Sequence, residues 1–221
     1  MQQKVFDIEI ALPRIAEAIA PYPKAGLFTL MEEGYSTPFL VLVACILSIR
    51  TLDEVMLPAS RRLFARAATP AQVAALPLEE LTALIGIVGF APGKAKQIAA
   101  MAVRLTADYE GQLPCDRELM LSFAGVGPKC ANLAISIACG EPFIGVDIHV
   151  HRVTNRWGYV QTRTPEATLA ALESKLSQKY WIDLNRLIMP FGKFICTGTR
   201  PHCSTCPLLE MCPQIGVLNC V

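Results

Sequence analysis

The residue with the clearest potential for covalent chemistry is Lys129, which follows a glycine-rich turn. It lies in the first turn of a predicted helix, where the helix dipole disfavours an ammonium group. We expect partial burial to lower its pKa further, and a neutral amine at this place can attack a carbon electrophile and form a Schiff base. The alternatives are a solvated surface lysine and a lysine that only binds phosphate.

The turn before this lysine has the layout of two helices joined by a hairpin, over residues 120–131. Gly125 and Gly127 flank Val126, and glycines remove side chains from a turn. Backbone N–H groups and the start of the second helix can then approach a phosphate directly, whatever the base sequence. A plain turn between two core helices is the alternative. A similar run at 89–95 also places a lysine at the start of an apolar helix.

Asp147 opens a second segment with chemical potential, which runs over residues 145–153. It precedes a periodic stretch, so the sequence predicts that it caps a helix. An ionised carboxylate there can stabilise a developing sugar cation or relay a proton to and from an amine. His149 and His151 would point to different helix faces, which favours hydrogen-bonding or phosphate-facing roles over a shared metal. The charged residues from 148 to 163 are all basic: Arg152, Arg156 and Arg163.

Four cysteines near the end of the chain have the spacing Cys-x6-Cys-x2-Cys-x5-Cys. They are Cys196, Cys203, Cys206 and Cys212. Four thiolates in one short loop can hold either a [4Fe–4S] cluster or a tetrahedral zinc ion. The spacing differs both from zinc ribbons and from bacterial ferredoxins. Arg200 adds a positive charge inside this loop.

The cysteines outside this loop are scattered among apolar residues, where cysteine behaves as a small hydrophobe. We therefore predict that Cys45, Cys115, Cys130 and Cys139 are buried in the core.

The elements that must position these residues are predicted to be helices, about ten of them, so the expected fold class is all-α. Strand-like alternation is nearly absent. Thr51 with Glu54 and Thr69 with Gln72 have the spacing of capping boxes. Thr164, followed by a proline, indicates another helix start.

Composition limits the class of protein further. Hydrophobic residues make up 52% and charged residues 18% of the 221 residues, which excludes a disordered or fibrous chain. The longest apolar stretch, 39–49, is shorter than the roughly 20 residues that span a bilayer. Asp7 and Glu9 argue against a secretory signal. With a formal net charge of +1, an anionic partner must be held by local basic patches.

Together these segments resemble the endonuclease III family of DNA glycosylases, in the helix-hairpin-helix superfamily. The match runs from about residue 38 to residue 212 and rests on GVGPKCA at 125–131, VDIHVHRV at 146–153 and the four-cysteine loop. The resemblance implies a six-helix barrel with the hairpin at 31–141. It also implies a four-helix domain at 1–30 plus 142–221 that holds a [4Fe–4S] cluster, with DNA in the cleft between the domains.

The resemblance further implies the roles of individual residues. Lys129 corresponds to the family's nucleophile and Asp147 to its partner carboxylate, which implies a bifunctional glycosylase and AP lyase for oxidised pyrimidines. The implied cluster ligands are the four cysteines of the loop. The expected DNA contacts are Arg50, Phe90, Gly125, Val126, Gly127, His149, Arg152 and Arg200. The expected partner is double-stranded DNA with damaged bases or abasic sites, bound by a monomer in the cytoplasm at the nucleoid.

Two positions depart from the family pattern in a way that concerns substrate choice. Arg50 stands where the family has a glutamine that fills the space left by the flipped base, and an arginine can also read the opposite base. Phe90 stands where the family has an apolar wedge, and an aromatic ring can stack there. A change of lesion preference, an inactive relative that binds damaged DNA, and an electron carrier are the alternatives to the repair enzyme.

Overall fold

The computed structural model describes residues 6–221, and within them all regular secondary structure is helical, with no strand. This confirms the all-α class. It contains twelve α-helices and one 3-10 helix. The α-helices are α1 Ile8–Ile19, α2 Gly26–Glu32, α3 Pro38–Ser48, α4 Asp53–Arg66, α5 Pro70–Ala74, α6 Leu78–Leu84, α7 Ala91–Asp108, α8 Arg117–Leu121, α9 Pro128–Cys139, α10 Ile148–Arg156, α11 Pro165–Lys175 and α12 Trp181–Phe194, and the 3-10 helix is Gln178–Tyr180.

The chain forms two compact units. The central unit is Gly26–Phe143, and the terminal unit combines the residues up to Ala25 with Ile144–Val221. The boundaries expected from the sequence, after residues 30 and 141, lie a few residues from these. Residues 1–5 of the expected cluster domain are outside the described part of the chain.

The core of the central unit is built around α3. Every residue from Phe39 to Leu47 is buried, as expected for a helix that is apolar on all sides. It begins at Pro38, and the Thr37 hydroxyl caps it by accepting a hydrogen bond from the Leu40 N–H. α3 packs chiefly against α9, the helix that carries Lys129, and against α4.

The terminal unit has a separate core. α12 packs against both α10 and α1. The largest fully buried side chains of this core are Trp157 and Phe191. Phe6 stacks on Trp157 with ring centroids 4.5 Å apart. This core fixes the helix that follows Asp147.

The local helix signals are confirmed in two cases and wrong in one. Thr69 and Gln72 form the predicted capping box, and Thr164 caps α11. The box predicted for Thr51 and Glu54 does not form, since α4 begins at Asp53 without a side-chain cap. The Thr51 hydroxyl instead accepts hydrogen bonds from Lys94 Nζ at 3.1 Å and from the Gly89 N–H at 3.3 Å.

The prediction for the scattered cysteines is half right. Cys45 and Cys130 are buried. Cys115 and Cys139 form a disulfide bond, so their prediction as buried hydrophobes was wrong. Cys115 lies in the exposed loop before α8 and Cys139 ends α9, and their Cα atoms are 6.1 Å apart, within the usual range for a disulfide.

Among the described residues, none of the helices has both the length and the apolar character that a bilayer span requires. Even α3, the most apolar of them, is far shorter than the roughly 20 residues required.

Candidate functional site

The hairpin between α8 and α9 exposes a backbone donor where the sequence predicted a phosphate contact. Gly125 has φ +82°, which favours glycine. Val126 is buried, and its N–H donates to Phe123 O at 3.1 Å. The N–H group of Gly125 has no hydrogen-bond acceptor within the described part of the chain, whereas the Gly127 N–H donates to the Cys130 sulfur. The Gly125 N–H is thus available beside the start of a helix.

Lys129 lies in the first turn of α9, as predicted. Its side chain is half-buried, and Nζ lies 3.3 Å from Ser48 Oγ, to which it donates a hydrogen bond. Ser48 is the last residue of α3, and its hydroxyl donates to Cys45 O at 2.7 Å. The packing of α9 on α3 therefore holds the amine at the end of the central helix.

A pair of buried thiols lies close enough to this lysine to interact with its charge. Cys45 on α3 and Cys130 on α9 are hydrogen-bonded to each other. The Cys45 thiol lowers the pKa of Cys130 to about 7 by donating to its thiolate, and the positive charges of Lys129 and Lys94 act in the same direction. The same interaction and burial raise the pKa of Cys45. When the pair ionises, the negative charge therefore resides on Cys130 and not on Cys45.

Lys94 is a second lysine that contacts the end of α3, and it was not singled out from the sequence. It lies in the first turn of α7 with only 5% of its surface exposed. Its Nζ donates to one acceptor in the last turn of α3 and to two on the segment after it, and burial lowers its pKa. The three acceptors are Leu47 O at 2.8 Å, Ile49 O at 2.7 Å and Thr51 Oγ1 at 3.1 Å. The sequence contains one signal for this residue, because the run at 89–95 places a lysine at the start of an apolar helix.

Arg50 and Phe90, predicted separately, meet in the structure. The Arg50 guanidinium carbon lies 5.6 Å from the centroid of the Phe90 ring, within the range of a cation–π interaction. Both residues have positive φ, +51° and +61°, and both side chains are exposed. Non-glycine residues in this conformation are concentrated at functional sites.

Asp147 caps α10, as predicted. Its Oδ1 accepts hydrogen bonds from the His149 and Val150 N–H groups, both at 2.8 Å. The side chain is half-buried, and both bonds use the same oxygen. The α10 N-terminus thus fixes this carboxylate in one orientation.

The basic residues of α10 are directed into the terminal unit. Arg152 Nη2 donates to Gly192 O at 2.7 Å and to Cys196 O at 3.2 Å, and it lies 3.1 Å from His149 Nδ1. Arg156 donates to the carbonyls of Thr197 and Gly198 and lies 3.5 Å from Cys196 Sγ. These bonds tie α10 to the start of the cysteine loop. The DNA contacts expected of His149 and Arg152 stay predictions.

The two histidines of α10 occupy different environments, as their spacing predicts. His151 Nδ1 lies 2.6 Å from Thr168 Oγ1, whereas His149 lies beside Arg152 and Gly192.

The four cysteines of the loop line one cavity, together with Trp157 and Phe191 from the core. Burial, together with the Cys220 thiol, raises the pKa of Cys203 to about 11, and burial raises that of Cys206 to about 11. In the described chain, no three histidine, cysteine or acidic side chains already have a metal-binding arrangement. Four cysteine residues along one cavity are nevertheless the type of ligand that an iron–sulfur cluster or zinc uses. Arg200 is exposed on this loop.

Known proteins resemble this chain over most of its length. The family described as "HhH-GPD superfamily base excision DNA repair protein" matches residues 43–178. Endonuclease III of Thermotoga maritima is 39% identical over 175 residues, which are 79% of this chain and 82% of that protein. Endonuclease III of Bacillus subtilis is 34% identical over 208 residues, which are 94% of this chain and 92% of that protein.

Solved structures agree with the sequence relatives. An endonuclease III trapped as a covalent intermediate with DNA, in an estranged-adenine complex, has a TM-score of 0.82 and 31% identity, with 94% of each chain covered. A thermostable thymine-DNA glycosylase has a TM-score of 0.74 at 21% identity, with 91% of this chain and 96% of that chain covered, and shows the shared fold alone. With the family match spanning more than half of the sequence, the chain belongs to the endonuclease III family, within the HhH-GPD superfamily of base excision DNA repair proteins.

Proposed function

We propose that this protein is a bifunctional DNA glycosylase and AP lyase that removes oxidised pyrimidines from double-stranded DNA. The observation that carries the proposal is the Lys129 amine, half-buried in the first turn of α9 and 3.3 Å from Ser48 Oγ. An amine held beside a phosphate-binding hairpin suits attack on a deoxyribose carbon. The protein acts as a monomer, on DNA in the cytoplasm.

Binding begins at the hairpin. The unpaired N–H group of Gly125 donates to a phosphate of the damaged strand. Because this contact carries no sequence information, it lets the protein bind at any position on a duplex. The damaged nucleotide must leave the base stack before the enzyme can reach its C1′ atom.

Lys129 then acts as the nucleophile. Its neutral amine forms a bond to C1′, and the C1′–N bond to the base breaks with its electron pair on the departing base, which takes up a proton. One proton of the attached amine passes to the ring oxygen O4′ as the C1′–O4′ bond breaks, which opens the sugar ring and leaves a protonated imine between Lys129 and C1′. Transfer of a C2′ proton to water expels the 3′ phosphate, and water hydrolyses the imine to regenerate the amine.

Asp147 supports these steps electrostatically. Its carboxylate, fixed by two backbone N–H groups, stabilises the positive charge that develops on the sugar as the base leaves. It also relays a proton in the course of these steps. Its role is that of a proton carrier and charge partner.

Cys196, Cys203, Cys206 and Cys212 would hold a [4Fe–4S] cluster. All four residues line one cavity, and thiolates are the ligands that such clusters use. When bound, the cluster would cross-link the loop that carries Arg200 and fix its fold. An iron assay with visible absorption separates the cluster from zinc, and zinc without iron would overturn this assignment.

Borohydride trapping tests the nucleophile. Wild-type protein and a Lys96→Ala control, which changes an exposed lysine on α7, should both form a covalent adduct with a duplex containing an abasic site. Lys129→Ala should form none. Equal trapping by Lys129→Ala would refute the mechanism, and binding of damaged DNA without cleavage by the wild type would favour the inactive relative.

A further inference from the structure

We propose that the disulfide bond between Cys115 and Cys139 is a redox-sensitive clasp on the hairpin between α8 and α9. The oxidised form holds the hairpin ready to bind DNA, and reduction by a dithiol loosens it and weakens duplex binding. This inference rests on the proposed function and adds a means of regulating it. It is carried by the position of the bond, by the contacts of α8 and by the exposure of Cys115.

The bond closes a loop that contains the whole hairpin. Cys115 lies in the segment that leads into α8, and Cys139 is the last residue of α9, 24 positions further along the chain. Gly125, whose N–H has no acceptor among the described residues, lies inside this loop, and so does Lys129, the proposed nucleophile. The clasp therefore joins the two ends of the segment that presents both groups.

The backbone of the hairpin is anchored on α8. The Phe123 N–H donates a hydrogen bond to Met120 O at 3.3 Å. The Val126 N–H in turn donates to Phe123 O at 3.1 Å. A movement of α8 is therefore passed on to the turn that carries Gly125.

The start of α8 is held by polar contacts near the surface. α8 has only five residues, and a helix of this length is not stable without tertiary packing. The side chains in its second half pack into the core. At its start, the half-buried Arg117 donates from Nε to Asn132 Oδ1 on α9 at 2.8 Å, and the exposed Asp116 carboxylate caps the helix. The disulfide therefore supports the end of α8 that packing fixes least.

A small dithiol can reach the bond from solvent, because Cys115 is exposed and Cys139 is half-buried. A thiolate of the reductant attacks the Cys115 sulfur, which forms a mixed disulfide and releases the Cys139 thiolate. The second thiol of the reductant then attacks the mixed disulfide, closes a disulfide within the reductant and releases the Cys115 thiolate. Two electrons and two protons pass from the dithiol to the two cysteines, and oxidised glutathione reverses the exchange.

A bond of this kind suits regulation in the proposed location. Dithiol proteins and glutathione keep the cytoplasm reducing, and a disulfide that forms there is usually transient and redox-sensing. The other cysteines of the central unit, Cys45 and Cys130, are buried, so a reductant in solvent meets Cys115 first. We expect stronger DNA binding under oxidising conditions, which are also the conditions that damage bases by oxidation.

The first measurement asks whether the bond forms and exchanges. The purified protein is equilibrated with oxidised glutathione, denatured, alkylated with iodoacetamide and analysed as peptides by mass spectrometry. Cys115 and Cys139 should be linked to each other, and dithiothreitol before alkylation should leave both alkylated. Alkylation of both after the oxidising treatment would overturn the inference.

The second measurement is the affinity for a duplex with a chemically reduced abasic site, followed by fluorescence anisotropy. The oxidised protein should bind at least about fivefold more tightly than the same protein after dithiothreitol. A loosened hairpin must be ordered on binding, and fixing the backbone of one residue accounts for about this factor. The Tm should also fall on reduction, because the closed loop restricts the unfolded chain. A fall in Tm with unchanged affinity would show that the bond is structural only, which contradicts the clasp.

Variants assign the response to this bond. Without reductant, the double variant Cys115→Ser/Cys139→Ser should bind as weakly as the reduced wild type, and it should not respond to dithiothreitol. The control is Cys220→Ser, which removes an exposed cysteine outside the bond and should keep the wild-type response. If the double variant still responds, the response belongs to another cysteine and the inference is wrong.

Failure of the clasp and failure of the proposed function give different results. If the oxidised and reduced proteins bind with equal affinity and both are trapped by borohydride through Lys129, the clasp is refuted and the proposed function stands. If neither form binds the duplex or is trapped, the proposed function itself is refuted.

Discussion

Replacement of Lys94 by methionine tests whether this buried lysine positions the segment after α3. Methionine keeps the length of the apolar stem and removes all three donated bonds. The clearest loss is at Leu47 O, which is buried and bonded to Nζ at 2.8 Å. A buried acceptor without a partner costs about 1–3 kcal/mol, so we expect the free energy of unfolding to fall by about 2 kcal/mol.

Thermal unfolding followed by circular dichroism measures this loss. For a chain of this size about 2 kcal/mol corresponds to a fall in Tm of about 4–8 °C. Cleavage at an abasic site should also slow, mainly in kcat, because Ser48 and Arg50 lose their fixed backbone. Lys94→Arg, which keeps donors at the site, should recover part of the rate.

The matched control for Lys94→Met is Lys96→Met, on the exposed side of the same helix. It should leave both Tm and rate unchanged. If Lys94→Met unfolds within about 1 °C of the wild type and cleaves at the wild-type rate, the three bonds do not hold the segment, and the reasoning is wrong.

Two further predictions concern the hairpin and the thiol pair. Gly125→Ala should destabilise the protein by about 1–2 kcal/mol, which is the cost of a left-handed conformation for an L-residue. It should also weaken duplex binding in a fluorescence titration. The control is Gly93→Ala, where a Cβ meets open space, and it should change neither stability nor binding. The pKa of Cys130 is lowered to about 7 in the folded state, against about 8.5 in the unfolded chain. Its thiolate therefore stabilises the fold fully above about pH 8.5, and this stabilisation is lost as the pH falls through 7. The free energy of unfolding, measured by urea denaturation, should therefore rise from about pH 7 to about pH 8.5 by up to about 2 kcal/mol in the wild type and by less in Cys130→Ala. If the free energy of unfolding has the same pH dependence in both proteins, the lowered pKa of Cys130 is contradicted.

The sequence alone predicts the structural features that depend on contacts between residues close together along the chain. Thr69, Thr164 and Asp147 cap helices because the hydroxyl or carboxylate and the N–H groups it accepts from are only two or three residues apart. The position of Lys129 in the first turn of α9 followed from the glycine and proline before it. Such contacts need no knowledge of the rest of the fold.

Features that depend on tertiary partners were not predictable in this way. Thr51 has the spacing of a capping box, but Lys94, forty-three positions away along the chain, takes its hydroxyl as an acceptor. Cys115 and Cys139 are brought together only when the hairpin folds α8 back along α9. The inward direction of Arg152 follows from the packing of α12 on α10.

Because α3 is buried along its whole length, mutations that change the packing of the core also change the position of the residues at the end of this helix. Its last turn supplies the carbonyl that holds Lys94 and the hydroxyl that meets Lys129. A smaller side chain in the middle of this helix would let its end shift, so that loss of packing and loss of turnover would arise together. Random mutagenesis should therefore find in α3 few variants that are stable but inactive.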